Sequence, residues 1–99
     1  MAAFVNIGFG NLVNSEKVVS VVCPDAAPVK RLVQKAKEAG RVIDATQGRR
    51  TKAVLITEED HVILSALQPD TLGRRMSAGA KEMQYIIMVS IDTYMEGVN

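Results

Sequence analysis

The sequence predicts an α+β domain, in which one amphipathic helix covers a mainly antiparallel β-sheet and a short helix follows toward the C-terminal end. Two observations support this prediction. Several short runs rich in valine and isoleucine are separated by turn residues, and one segment repeats apolar residues at a period of about 3.6 residues. The chain has 99 residues, 47% of them hydrophobic, which suffices for one small domain.

Two short strands are predicted before the long helix. Residues 4–7 form one strand that the glycine-rich residues 8–11 end, and residues 17–22 form the next. The Gly-x-Gly pattern of this turn lacks the third glycine and the acidic ribose ligand of a dinucleotide-binding motif, so a plain turn is favoured. Cys23 follows the valine run and is expected to be a packed core thiol. As a single cysteine it cannot form an internal disulfide.

The residues after Pro24 predict the amphipathic helix. Asp25 is placed to cap its N-terminus, Pro28 is tolerated in its first turn, and Gly40 ends it. One face is apolar and should pack on the sheet. The other face is basic, and for it a solvated surface and a nucleic-acid contact are the two interpretations. The apolar face comprises Val29, Leu32, Val33, Ala36 and Ala39, and the basic face comprises Lys30, Arg31, Lys35 and Lys37.

Residues 41–56 predict a β-hairpin. Two runs rich in β-branched residues flank a polar link, in which Gly48 can adopt the left-handed conformation of a tight turn. Arg49 and Arg50 then lie near the tip, with Lys52 just beyond. Guanidinium groups on a turn suit phosphate oxygens or guanine edges, because they keep their charge and offer donors in a fixed fork. The alternative interpretation is that both arginines are solvated turn residues.

One more strand and the second helix follow. Residues 61–67 are nearly continuous in apolar residues, as in an interior strand, so the three strands of residues 41–67 should form a meander. Pro69 opens a short helix, with Leu72 and Met76 as its apolar anchors.

The end of the chain is strongly apolar at residues 85–91, which predict an extra strand or part of a helix packed against the same subunit or a neighbouring one. No window reaches the roughly 18 apolar residues of a membrane span, and no basic and apolar leader opens the chain. A cytoplasmic protein without a membrane partner is therefore expected.

Charge is distributed unevenly, although the formal net charge is only +1. Residues 17–52 hold nine Lys and Arg against three acidic residues, whereas residues 53–99 hold three basic against seven acidic residues. The molecule should therefore have a basic side and an acidic side, and a nucleic acid is the expected partner of the basic side.

The sequence offers little for catalysis or metal binding. Its single histidine, His61, opens an apolar strand beside the acidic residues 58–60, where a structural or surface imidazole is expected. The paired Cys or His spacings of metal sites are missing, and residues 58–60 lack the glycine and partner ligands of a calcium loop. We therefore expect no enzyme, no metal, no cofactor and no small-molecule substrate.

Four motifs resemble, in this order, the extracellular matrix regulatory protein A (RemA) family. They are FVNIGFGN at residues 4–11, CPDAAPVKR at residues 23–31, DATQGRRT at residues 44–51, and DHVILS at residues 60–65 followed by Gln68 and Pro69. The resemblance runs from about residue 4 to residue 76. Residues 1–76 are therefore expected to form a RemA-like DNA-binding domain, and residues 77–99 a C-terminal extension of unknown role.

The resemblance implies a bacterial transcriptional regulator of biofilm extracellular-matrix genes that binds double-stranded DNA and is nucleoid-associated. It also implies a ring-like homo-oligomer, in which neighbouring subunits pair like the LytTR type of DNA-binding domain. The family's paired DNA-contacting arginines fall on Arg49 and Arg50, and a further basic position falls on Lys17, where lysine keeps the charge but lacks the fork.

Three more residues are candidates for phosphate contact because of their charge and position, namely Lys30, Arg31 and Lys52. The competing hypothesis is a structural or scaffolding oligomer, which recruits protein partners through its acidic side and its apolar tail.

Overall fold

The computed structural model describes residues 3–78 and confirms the α+β class. The strands are β1 (Phe4–Asn6), β2 (Leu12–Asn14), β3 (Val18–Val22), β4 (Val42–Asp44), β5 (Ala53–Thr57) and β6 (Val62–Ser65), and the helices are α1 (Ala27–Glu38) and α2 (Pro69–Ala78). β1 and β2 form a two-stranded antiparallel sheet, and the other four strands form a mixed sheet in the order β3-β5-β6-β4. The apolar segment at residues 85–91 lies outside the described residues.

The four-stranded sheet contradicts the predicted hairpin and meander. β4 pairs in parallel with β6, with Val42 opposite Val62, whereas β5 lies between β3 and β6 and is antiparallel to both. Residues 41–56 are therefore not a hairpin, because β6 separates β4 from β5. The physical reason is burial. All four residues of β6 are buried, whereas Ile43 and Asp44 of β4 are exposed. A fully buried strand belongs inside the sheet, while a short, largely exposed one belongs at its edge.

Helix α1 starts one residue later than a cap at Asp25 would place it, so that prediction is wrong. Its N-cap is Ala26, which makes no side-chain capping hydrogen bond. Pro28 is the second residue of the helix and has no N–H, so one of the two amides that an N-cap side chain can accept from is missing. A capping carboxylate would therefore stabilise this helix less than it stabilises most others.

The C-terminus of α1 is as predicted. Gly40 has a φ of 71°, and its N–H donates to the carbonyl oxygen of Lys37 at 3.1 Å. The N–H of Arg41 reaches the carbonyl oxygen of Ala36 at 2.8 Å, which completes a Schellman motif. Glycine suits the left-handed position because it has no Cβ to clash with the backbone.

The mixed sheet is covered on both faces. On one face α1 packs through Val29, Val33 and Ala36 over Val54, Val62 and Leu64. On the other face the β1–β2 hairpin and α2 cover a second cluster, which comprises Ile7, Ala45, Ala53, Leu55, Ile63 and Leu72. Two members of the predicted apolar stripe do not join the core, because Leu32 is 39% exposed and Ala39 is exposed as well.

The cover opposite α1 is fixed by side-chain hydrogen bonds. The hydroxyl of Ser65 donates to the carbonyl oxygen of Ile7 at 2.7 Å, and Arg75 Nη1 donates to that of Asn6 at 2.8 Å. The predicted anchors of α2 are confirmed, since Leu72 is fully buried and Met76 packs against the same cluster. Strand β2 was not predicted, because its three residues are too few to show a period.

Two smaller predictions concern the loops. The glycine-rich residues 8–11 form a turn, closed by a hydrogen bond from the N–H of Asn11 to the carbonyl oxygen of Gly8 at 3.1 Å. Cys23 is exposed rather than packed, because it follows the last residue of the edge strand β3 and precedes the turn at Pro24. Within residues 3–78, neither helix has the length and apolar character that crossing a bilayer requires.

Candidate functional site

The link between β4 and β5, residues 45–52, carries the two arginines of the predicted site, and we term it the arginine loop. Both of its ends are tied to the central strand β6. The first residue of the loop donates its N–H to the carbonyl oxygen of Leu64 at 2.9 Å, and Lys52 donates its N–H to that of Ser65 at 2.9 Å. The loop therefore passes across the end of β6 and is held at both ends by a buried strand.

A tight turn lies at the centre of the arginine loop. The N–H of Arg49 donates to the carbonyl oxygen of Thr46 at 3.0 Å, and the two residues between them, Gln47 and Gly48, have φ values of 51° and 78°. Two successive positive φ values are the mark of a type I′ turn. The predicted left-handed Gly48 is confirmed, although the turn joins an edge strand to an interior strand instead of closing a hairpin.

The start of the loop is oriented by Asp44. Its Oδ1 accepts hydrogen bonds from the N–H of Thr46 at 2.9 Å and from the hydroxyl of Thr46 at 2.6 Å. The side-chain bond and then the backbone bond lower the pKa of Asp44 below its ordinary value of 3.8. Desolvation opposes this shift, and the charge of Lys37 adds to it. The carboxylate is therefore ionised near neutral pH.

The contact that orients the loop runs through Thr46, which is buried and was not selected by sequence reasoning. The signal was present as Asp-x-Thr at the end of a strand, where a short acidic side chain often bonds the backbone two residues on. Within residues 3–78, neither Arg49 nor Arg50 forms an ion pair with this carboxylate or another.

Arg49 stacks over an aromatic ring from another part of the chain. Its Cζ lies 5.8 Å from the ring centroid of Phe9, which is within the range of a cation–π contact. Phe9 sits between two glycines in the turn after β1, with a φ of 55°, and is 48% exposed. The glycine-rich turn thus positions one of the two arginines. Sequence reasoning missed this role, because the two segments are far apart along the chain.

Arg50 is exposed, and within residues 3–78 its guanidinium makes no hydrogen bond, ion pair or ring contact. Lys52 is exposed on the same loop. Lys30 of α1 lines a cleft together with Thr51 of the loop, so the start of the helix lies beside the segment that carries Arg50. Arg31 is exposed on the helix but does not line this cleft.

Lys17 lies at the other end of the sheet. The arginine loop precedes the first residue of β5, whereas Lys17 stands next to Val18, which pairs with the last residue of that strand, Thr57. The ammonium of Lys17 is 3.7 Å from the carboxylate of Glu58, and both side chains are more than half exposed. Within one chain the structure therefore separates Lys17 from the arginine loop, although it places Lys30 beside Thr51 of that loop.

Other chemistry is sparse in the described part of the chain. No group of three or more His, Cys, Asp or Glu among residues 3–78 is placed to hold a metal ion. His61 is half-buried, and its backbone N–H donates to the hydroxyl of Thr57 at 3.1 Å. What the described residues present is a fixed loop with exposed cations beside a basic helix.

The fold and the arginine loop together define a small α+β domain that presents a fixed basic loop. The particular family follows from comparison with known proteins. This chain belongs to the RemA-like family, described as extracellular matrix regulatory protein A-like, which matches residues 4–76. The resemblance seen in the sequence motifs is thereby confirmed.

Curated bacterial relatives cover most of the chain. A protein of Geobacillus thermodenitrificans is 53% identical over 76 residues, which are 77% of this chain and 87% of the relative. One of Heliobacterium modesticaldum is 57% identical over 74 residues, or 75% and 81% of the two chains. One of Halothermothrix orenii is 59% identical over 73 residues, or 74% and 87%. All three carry the name "Putative regulatory protein". Family and names together indicate a regulatory protein rather than an enzyme.

Proposed function

We propose that this chain is a DNA-binding transcriptional regulator that acts as a homo-oligomer and contacts the phosphates of double-stranded DNA through its arginine loop. The observation that carries the proposal is the exposed guanidinium of Arg50, which has no partner among residues 3–78 and lies on a loop that is hydrogen-bonded to β6 at both ends. A cation presented in this way loses little conformational freedom on binding and has no carboxylate to give up.

The charges around Arg50 support the same partner. Arg49 is held over Phe9, while Lys52 and Lys30 add positive charge along the loop and the start of α1. The nearby carboxylate of Asp44 accepts from Thr46 and is already satisfied. Together these cations form a basic surface whose donors suit phosphate oxygens, and Arg31 extends it along the helix.

The homo-oligomer follows from affinity and from exposed apolar surface. One patch of a few cations binds DNA only in the roughly micromolar to 100 micromolar range at physiological salt, and repetition over linked subunits multiplies that affinity. Phe4, Leu12 and Val19 are 66%, 63% and 65% exposed, and both β3 and β4 are edge strands. We propose that subunit contacts cover these features in a ring with LytTR-like pairing.

The targets we propose are genes for biofilm extracellular matrix, and the location we propose is the nucleoid in the cytoplasm. Both rest on membership of the RemA-like family. Binding should depend mainly on the DNA backbone and on DNA shape, because the loop offers only two guanidinium groups per subunit for base edges.

Mobility-shift titration with the full chain tests the proposal. Arg49→Ala and Arg50→Ala should each weaken DNA binding about tenfold or more, since the contact is lost in every subunit at once. Arg74→Ala is the matched control, because Arg74 is an exposed arginine that belongs to α2 and not to the arginine loop. It should bind DNA within about twofold of the parent, and all three variants should keep the parent's mass in light scattering.

Two outcomes would contradict the proposal. If both loop variants bind DNA like the Arg74 control, the arginine loop is not the contact surface. If intact parent oligomers do not shift DNA even at low salt, the protein is not a DNA-binding regulator and the scaffolding hypothesis takes its place.

A further inference from the structure

A cleft of about 260 Å³ lies between α1 and the mixed sheet, next to the arginine loop. Its helical wall is formed by residues spaced three or four apart on one side of α1, and its floor by buried residues of β5 and β6. The lining residues are Pro24, Lys30, Val33, Gln34, Lys37, Thr51, Val54 and Leu64. The cleft therefore joins a polar rim to an apolar base.

The rim is lined by positively charged and polar side chains. Lys30 and Lys37 supply two ammonium groups, Gln34 lies between them on the same side of the helix, and Thr51 adds a hydroxyl from the loop. No carboxylate of residues 3–78 lines the cleft, although the charge of Lys37 acts on the Asp44 carboxylate at the start of the arginine loop. Ammonium and amide donors from the helix and a hydroxyl donor from the loop suit an anion with several oxygens, and a phosphate offers more oxygens than a carboxylate.

The base of the cleft is apolar and therefore suits an apolar part of the ligand. Pro24 and Val33 are half-buried, and Val54 and Leu64 close the bottom. Because Val54 and Leu64 are themselves buried, the apolar surface open to water is that of Pro24 and Val33, which a flat ring attached to the anion would cover and an inorganic anion alone would not. At about 260 Å³ the cleft is slightly smaller than the roughly 300 Å³ at which drug-sized pockets begin, so the ligand must be small.

We propose that this cleft, which we term the α1 cleft, binds a small phosphate ester with an attached flat ring, a mononucleotide being the nearest chemical model. The phosphate lies between Lys30 and Lys37 and accepts from Gln34 and Thr51, while the ring rests on Pro24 and Val33. A ligand seated in this way occupies Lys30 and touches the residue that follows Arg50. Its effect on DNA affinity rests on the proposed function, whereas its binding to the cleft does not.

Equilibrium dialysis of the full chain against AMP tests the site without any DNA. AMP should bind with a dissociation constant of about 0.1–1 mM, as befits a small ligand in an open cleft. Adenosine, which lacks the phosphate, and inorganic phosphate, which lacks the ring, should each bind at least tenfold more weakly. Failure of AMP to bind at about 10 mM, or equal binding of adenosine and AMP, overturns the proposal.

A matched pair of lysine variants locates the site. Lys37→Ala should weaken AMP about five- to tenfold, because one ammonium contact to the phosphate is lost at an exposed position. Lys35→Ala removes the same charge from the same helix, but it lies about 160° around the helix from Lys37 and does not line the cleft. It should leave AMP binding within twofold. Gln34→Leu keeps the side-chain volume and should also weaken AMP. Equal AMP affinities in all of these variants contradict the assignment.

A mobility shift with the same proteins distinguishes free phosphate esters from the phosphates of DNA. Lys37→Ala without AMP should bind DNA within about threefold of the parent, and AMP near saturation should weaken DNA binding of the parent several-fold, because Lys30 is occupied. If AMP does not bind and Lys37→Ala loses as much DNA affinity as Arg50→Ala, the cleft holds a phosphate of the DNA backbone and the small-ligand proposal fails. If the parent binds AMP but no DNA, only the proposed function fails.

Discussion

Substitution of Gly48 by alanine isolates the backbone conformation of the arginine loop. Gly48 has a φ of 78°, and a Cβ built on it would meet no atom within 4 Å. The substitution therefore adds no steric contact and removes none, and what it changes is the cost of the left-handed conformation. For a residue with a Cβ that cost is about 1–2 kcal/mol.

In helix α2, the same substitution of glycine by alanine should change the free energy of unfolding in the opposite direction. Gly73 also has no atom within 4 Å of a built Cβ, but it lies inside a helix with no left-handed φ. Gly73→Ala should therefore raise the free energy of unfolding by roughly 0.5–1 kcal/mol. Gly48→Ala should lower it by about 1–2 kcal/mol, or about 4–16 °C in melting temperature for a domain of this size. Gly48→Asn should cost less than alanine, because asparagine tolerates the left-handed region.

Urea unfolding at one fixed protein concentration measures all three variants, since subunit association would otherwise shift the apparent stability. In the mobility shift, Gly48→Ala should weaken DNA binding several-fold, because the strained turn populates other conformations, and Gly73→Ala should not. A Gly48→Ala protein as stable as Gly73→Ala would refute the assignment of the left-handed turn. If Gly48→Ala lowers the free energy of unfolding by far more than about 2 kcal/mol, the space around Gly48 is not open.

Two shorter predictions concern assembly and pH. Light scattering at micromolar concentration should give a mass that is a multiple of the 10.7 kDa chain, and a monomer mass would contradict the proposed ring. Because its pKa is lowered in the folded state, Asp44 contributes stability that is present above its ordinary value of 3.8 and is lost as the pH falls through the lower folded value. Acid unfolding of Asp44→Asn should show less pH dependence in that window than the parent, and an identical pH profile would show that Thr46 does not depend on the ionised carboxylate.

Local sequence signals predicted those parts of the fold that depend on local chemistry. The helix end at Gly40 follows from a residue without a Cβ, and the anchors Leu72 and Met76 follow from helical spacing. The pairing of strands is different. Nothing in residues 41–56 alone reveals that β6, which comes later in the chain, lies between β4 and β5. Strand order depends on which strand is buried on both sides, and that competition involves the whole sheet.

In the candidate site too, features set by local sequence were predictable and features set by tertiary packing were not. The left-handed turn at Gly48 was predictable because glycine and its polar neighbours are a local signal, and Asp-x-Thr could have been recognised in the same way. The contact of Arg49 with Phe9 could not be predicted from local sequence, because it joins two loops through tertiary packing. The prediction that Cys23 is buried was wrong for a related reason. A valine-rich strand indicates burial only when the strand does not lie at the edge of the sheet.

The salt dependence of DNA binding tests whether the contact extends beyond the arginine loop. Lys17 lies at the far end of the five-residue strand β5, roughly 15 Å along the sheet from the loop. If it neutralises a phosphate, Lys17→Ala should make the log-log salt slope shallower by about 0.9 per lost contact. Its ion pair with Glu58 complicates the affinity, because removing the lysine also exposes a carboxylate to the DNA. Lys17→Ala with Glu58→Gln separates the two effects: the double variant should recover part of the affinity but keep the shallower slope. An unchanged slope in Lys17→Ala would mean that the DNA touches only the end of the sheet that carries the arginines.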